Sequence, residues 1–158
     1  MFWIHTEGGT QRMRSLAEET VVYLMKKELP KKRALNLDIE IKNIRKVGCV
    51  GMIDSWKDRG KPYSVIELDN SRDITLYTFI EVLCHEFVHM MQFLDGRWVQ
   101  KNTRVYWKGN DLTDTAYYKQ PWEQEAFALQ KPLAKYIIKE KLGMTIKKAK
   151  ATKVRAYK

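Results

Sequence analysis

The stretch that most constrains this chain is "ITLYTFIEVLCHEFVHMMQFL", residues 74 to 94, which has no Pro or Gly and an apolar residue every three or four positions. That spacing predicts one long helix, because a helix turns about 100° per residue and stacks positions three and four apart. Leu76, Ile80, Leu83, Phe87, Met90 and Leu94 share one stripe, expected to face a core. Thr78, Glu81, His85, His89 and Gln92 share the opposite stripe. His85 and His89 are two of only three histidines in the chain, and they sit away from the core stripe.

The spacing carries chemistry. Side chains four apart on a helix have Cβ atoms about 5–6 Å apart. Two imidazoles so placed can reach one metal ion with bonds of about 2.0–2.1 Å. Glu86 projects roughly a quarter turn away, so it misses the metal but can reach a water held there. That is the placement of a general base in the pattern His-Glu-x-x-His.

A helix needs a fold to sit in. At 158 residues, with 44% hydrophobic content, the chain is long enough for one domain with a real core. "SLAEETVVYLMKKELP" reads as an amphipathic helix with Ser15 as N-cap and Pro30 as its stop. "NLDIEIKNI" alternates Leu37, Ile39 and Ile41 as a half-buried strand. "VGCVGMID" and "YSVIELD" are further strands, with Gly51 marking a bulge or a close approach. Residues 95–114 read as a hairpin or ordered loop. Pro121 opens another helix, which Pro132 is expected to kink or split and Gly143 to end. The order predicts an α+β domain.

The charge of +10 is unevenly placed. Residues 139–158 hold eight Lys or Arg and one Glu, leaving 21 basic against 18 acidic residues in the rest. The reading is a nearly balanced domain over residues 1–143 and a basic tail over 144–158. The tail is expected to touch nucleic acid or another anionic partner, or simply to fray, and to be dispensable for folding. No run of 18 apolar residues exists, so no membrane span is expected. "MFWIHTEGGT" lacks the pattern of a secretion signal, and Cys49 and Cys84 lack metal-type spacing. Reduced cysteines and a cytoplasmic location are the expectation.

A catalytic zinc takes three protein ligands. His5, in an N-terminus expected to be mobile, is the only other histidine. Glu123 and Glu125 of "PWEQEA" open the second helix and flank its apolar stripe on either side, so periodicity does not choose between them. Gln92 and Glu81 share the histidine face and can orient the imidazoles. Tyr117 and Tyr118 precede the glutamate helix, and a phenol there could stabilise an oxyanion. Trp107 and Trp122 are candidates for lining a cleft.

Taken together, "IELDNSRD…LCHEFVHMMQ…VYWKG…YYKQPWEQEA", over residues 63 to 128, resembles small SprT-like and phage-encoded zinc metallopeptidases. The downstream glutamate helix is similar to that of gluzincins, and its E-x-E-A step to that of ImmA/IrrE peptidases. The chain departs from SprT proper, which uses a third histidine where Glu stands here. It also departs from the long metzincin motif, since Gln92 replaces the helix-breaking Gly and Asp95 stands where the third ligand would be. The resemblance implies a zincin-like minimal fold, a small mixed sheet with an active-site helix and a glutamate helix. It implies Zn²⁺ held by His85, His89 and Glu123, with Glu125 as the alternate, and Glu86 and Tyr118 as catalytic residues acting on a peptide or protein substrate. It further implies that "YSVIELD" is the edge strand along which a peptide aligns. Two rivals are a zincin-fold protein that binds without hydrolysing and a nucleic-acid protein working through its tail.

Overall fold

In the strand Leu35–Lys42, the side chains of Leu35, Leu37, Ile39 and Ile41 are at most 1% exposed, so every second position faces one core. The computed structural model describes residues 2–28 and 34–157 and builds the core around that strand. The elements are β1 (Phe2–Gly8), α1 (Gln11–Glu28), β2 (Leu35–Lys42), β3 (Gly51–Asp58) and β4 (Lys61–Asp69). After them come α2 (Leu76–Leu94), β5 (Trp98–Lys101), β6 (Arg104–Trp107), β7 (Asn110–Asp111), α3 (Pro121–Tyr136) and α4 (Ile146–Ala151). The first four strands form a mixed sheet of order β1-β2-β4-β3, and β5-β6-β7 form a small antiparallel sheet. The chain is α+β, and no described helix is long and apolar enough to cross a membrane.

β1, β2 and β4 are parallel and β3 is antiparallel. The first strand corrects the expectation of a mobile N-terminus: Phe2–Gly8 pairs residue for residue with Leu35–Ile41. His5 stands on the sheet's outer face, its side chain 70% exposed. The edge strand is also corrected. "YSVIELD" lies inside the sheet as β4; the edges are β1 and β3, and β3 is the edge beside α2. β3 and β4 join through Arg59 and Gly60, both with positive φ, as a two-residue hairpin turn of this twist requires.

α1 and α2 cover one face of the sheet. α1 begins at Gln11, earlier than Ser15, because the Thr10 hydroxyl accepts from the Met13 N–H at 3.1 Å. Its expected stop, Pro30, lies outside the described residues. α2 is capped by Thr75, whose hydroxyl accepts from the Thr78 N–H at 3.1 Å. Gly51 opens β3 directly over α2. A Cβ there would fall well inside the van der Waals radius of Val82 Cγ1, so only glycine lets strand and helix approach this closely. α3 runs unsplit through Pro132, and the irregularity comes later, as a π-helical turn over Ile137–Lys141. Gly143 follows with φ +62°, as a helix-ending glycine does.

The basic terminal segment is docked, contrary to the frayed tail expected. Thr145 caps α4 by accepting from the Lys148 N–H. Ala149 and Val154 are fully buried. The Leu76 N–H donates to the Thr152 carbonyl at 2.7 Å, and the Val154 N–H donates to the Ile74 carbonyl at 2.9 Å. The segment thus takes up one of the backbone donors that the first turn of α2 leaves unpaired. Lys147, Lys148, Lys150 and Lys153 remain on the surface.

Deleting residues 145–158 is therefore expected to lower the melting temperature measured by calorimetry. Val154→Ala alone should cost about 1–3 kcal/mol and lower Tm by about 3–10 °C. An unchanged Tm for both would mean that this contact contributes nothing.

Candidate metal centre

α2 is apolar on one stripe and polar on the other, yet the polar stripe too becomes buried towards its C-terminal end, from exposed Thr78 to buried His89 and Gln92. Leu76, Ile80, Leu83, Phe87 and Met90 face the core and are at most 1% exposed. His89 and Gln92, on the polar stripe, are only 4% and 0% exposed, because α3 lies across them. Burying polar groups this deeply requires each to find a partner.

Two amides supply those partners. The Gln92 Nε2 donates to the Trp122 carbonyl at 3.0 Å and to Glu125 Oε1 at 3.2 Å. Both are pure acceptors, which fixes the amide orientation and leaves Gln92 Oε1 facing His89 Nδ1 at 2.9 Å. Gln130 repeats the arrangement on the other side. Its Nε2 donates to Glu81 Oε1 at 2.9 Å, and its Oε1 faces His85 Nδ1 at 2.8 Å. In both histidines the proton therefore sits on Nδ1, and the lone pair sits on Nε2.

Those lone pairs converge. His85 Nε2 and His89 Nε2 are 3.2 Å apart. Glu123 closes the group, with Oε2 at 3.1 Å from His85 Nε2 and Oε1 at 3.0 Å from His89 Nε2. Three acceptors facing one point repel unless a cation lies between them. A tetrahedral ion with ligand bonds of about 2.0–2.1 Å spaces its ligand atoms roughly 3.3 Å apart, close to the spacings here. The donor set, two neutral imidazoles and a carboxylate, can hold a metal ion. The side chains of His85, His89 and Glu123 are 13%, 5% and 14% exposed, so the group is nearly buried but not sealed from solvent.

The electrostatics follow from the same geometry. Burial pushes the Glu123 carboxyl up, but a second proton on His85 or His89, which turns that ring into a cationic donor at Nε2, outweighs it and holds the carboxyl far below the usual carboxylate range. Burial pushes the His89 imidazole down, but Glu123 and Gln92 outweigh it and the net shift is up. Glu86 is 7% exposed, and burial raises its carboxyl against the opposing pull of His89 and His85. Its Oε1 lies just under β3, 3.1 Å from where a Cβ on Gly51 would stand.

Of the residues singled out from the sequence, the structure brings His85, His89 and Glu123 together and sets Glu86 beside them. Glu125 is turned away to support Gln92 and to accept from Arg97 Nη1 at 2.6 Å. Of the two tyrosines, Tyr117 is the one whose hydroxyl reaches the group. Tyr118 is 73% exposed and lies against Lys119, whereas the Tyr117 hydroxyl donates to Glu123 Oε2 at 3.1 Å. Burial and then Glu123 push the Tyr117 phenol up to about 12, so it stays protonated. Trp107 and Trp122 are buried, 6.3 Å apart, and pack on each other instead of lining a cleft. Asp95 pairs with Arg97, and His5 lies on the far face of the sheet. Gln130 went unnoticed in the sequence, although it lies two turns beyond Glu123 on the same helix.

Compared with family models, with curated proteins and with solved structures, the chain finds no match.

Glu123→Ala should abolish tight zinc binding, measured by calorimetric titration. Glu125→Ala and Gln130→Ala should each keep a site but weaken it by about 10–100-fold, because they release an imidazole instead of removing a ligand. Equal affinities for all three variants would contradict this division of roles.

Proposed function

We propose that this chain is a zinc-dependent metallopeptidase on a minimal zincin-like fold, acting on a peptide or protein substrate in the cytoplasm. The observation that carries the reading is the convergence of His85 Nε2, His89 Nε2 and Glu123 within hydrogen-bonding distance of one another, with Glu86 buried beside them. A zinc ion held there would supply Lewis acidity, polarising a peptide carbonyl and acidifying a nearby water.

The chain's own residues supply the rest. Glu86 accepts the proton of the attacking water and returns it to the leaving amine. Its burial makes the carboxylate a stronger base than one in water. Tyr117, kept protonated beside Glu123, donates to the carbonyl oxygen as negative charge develops on it. The free edge of β3 runs past Gly51 above the site and offers unpaired backbone groups to an extended peptide.

Glu86→Gln tests the reading. The amide fills nearly the same volume but cannot take the proton. The variant should bind zinc like the wild type and cleave a peptide library about 10²–10⁴-fold more slowly. Equal cleavage by the two proteins would remove Glu86 from the reaction. A wild-type protein that binds zinc and cleaves nothing would refute the peptidase reading.

A further inference from the structure

The four-stranded sheet has helices on one face only, the face that carries Leu37, Ile39 and Ile66. On the open face the strand register sets Trp3, Tyr63 and Trp56 in one row across the strands, and Asp38, Val65 and Asp54 in the next. Trp3, Met52 and Trp56 are 67%, 41% and 42% exposed there. Exposed aromatic and apolar side chains grouped on one face mark an interaction site, where singly scattered ones do not. Trp56 and Tyr63 stack, with ring centroids 5.9 Å apart and planes 10° from parallel. Because β3 is an edge strand, no neighbouring strand stands beside the far face of the Trp56 ring.

Carboxylates flank this aromatic pair. Asp54 and Asp58 lie two residues to either side of Trp56, on the same face of β3 and about 7 Å away along it. Both are exposed, and neither forms an ion pair with a described residue. Asp38 stands two strands from Asp54, about 10 Å across the sheet, and is likewise unpaired. In the row beyond, Glu40 and Glu67 share Lys42, each at 2.8 Å. Lys61, at the hairpin end opposite Asp58, is the other lysine on this face. The open face is thus acidic on a chain whose formal charge is +10. That reversal selects the occupant. Phosphate is repelled, so neither nucleic acid nor an anionic lipid surface fits. A second copy carries the same positive excess, and this face set against itself would oppose carboxylate to carboxylate. A flat ring between two carboxylates suits a guanidinium, which is planar, stacks on aromatic faces and pairs with carboxylates. An ammonium, compact and strongly hydrated, gains less there.

We propose that the open face of the sheet docks a basic segment of a partner protein, with one arginine stacked on Trp56 between Asp54 and Asp58 and a second cationic side chain at Asp38. This face lies across the sheet from α2, so the assignment stands independently of the metal centre and of the peptidase reading.

The test is fluorescence anisotropy of a fluorescein-labelled peptide of alternating glycine and arginine, titrated with the full chain at about 0.15 M salt. Matched peptides carry lysine, or citrulline as a neutral isostere, in place of arginine. The arginine peptide should bind most tightly, by about 10-fold over citrulline. Trp56→Ala should weaken its binding about 3–30-fold. Asp54→Asn/Asp58→Asn, which keeps the aromatic stack, should weaken it about 3–10-fold. Glu18→Gln/Glu19→Gln, on the exposed side of α1, should leave it unchanged. Circular dichroism checks that each variant is folded, and if Trp56→Ala disturbs the hairpin the double asparagine variant decides alone. An arginine peptide that binds no more tightly than the lysine or citrulline peptide, or that binds the asparagine variant like the wild type, overturns the proposal. So does self-association of the chain that Trp56→Ala abolishes in sedimentation, because the occupant would then be a second copy.

Discussion

The arrangement of this molecule depends on mutual repulsion among three acceptors. Two imidazole lone pairs 3.2 Å apart and a carboxylate touching both form an unfavourable group without a cation. Nothing local makes His85 and His89 point this way. Each ring is turned by an amide, and each amide is held in turn by a carboxylate: Gln130 by Glu81, and Gln92 by Glu125. The carboxylates accept only, so they orient the amides. The oriented amides fix the imidazole tautomers, and the tautomers aim the lone pairs. Two parallel relays of the same chemical order, running to opposite sides, lead to the same point.

The larger architecture keeps these relays in place. α3 lies across α2 so that Glu123, Glu125 and Gln130 all reach it from one helix, two turns apart at most. The hairpin after α2 contributes Arg97, which spans Asp95 at the end of α2 and Glu125 on α3. It therefore ties the Gln92 relay to both helices. At the other end, the terminal segment crosses the start of α2 and pairs its first free N–H, so that helix is held at both ends. On its remaining side, Gly51 lets β3 settle on α2 close enough to bury Glu86. The buried polar face of α2 is thus a consequence of the site.

Much of this was legible in the sequence where periodicity and chemistry coincide. The two stripes of α2, the alternation in β2 and the proline opening α3 are local signals, and local structure obeyed them. The histidine pair was legible because spacing alone brings i and i+4 together on a helix. Where partners are far apart in sequence, the reading stopped. Glu123 and Glu125 flank their apolar stripe symmetrically, and only the packing angle of α3 decides which one meets the histidines. Gln130 needed the same information. Tyr117 and Tyr118 are neighbours whose roles are separated by a single 3-10 turn over Tyr117–Lys119. β1 carries little apolar alternation of its own, with Trp3, His5 and Glu7 on its open side, and becomes a strand by pairing with β2. The terminal lysines masked the few residues, Ala149 and Val154, that anchor the segment. Charge dominates composition there, while two small apolar side chains decide the packing.

The account's central claim is that the converging acceptors hold a metal ion, and the direct measurement is metal stoichiometry by mass spectrometry. The protein is purified without chelator, dialysed against zinc and then against buffer, and compared with His85→Ala/His89→Ala treated identically. The account predicts one zinc per wild-type chain and none in the double variant. A wild-type chain that stays metal-free after exposure to zinc, or a double variant that retains the ion, would contradict it.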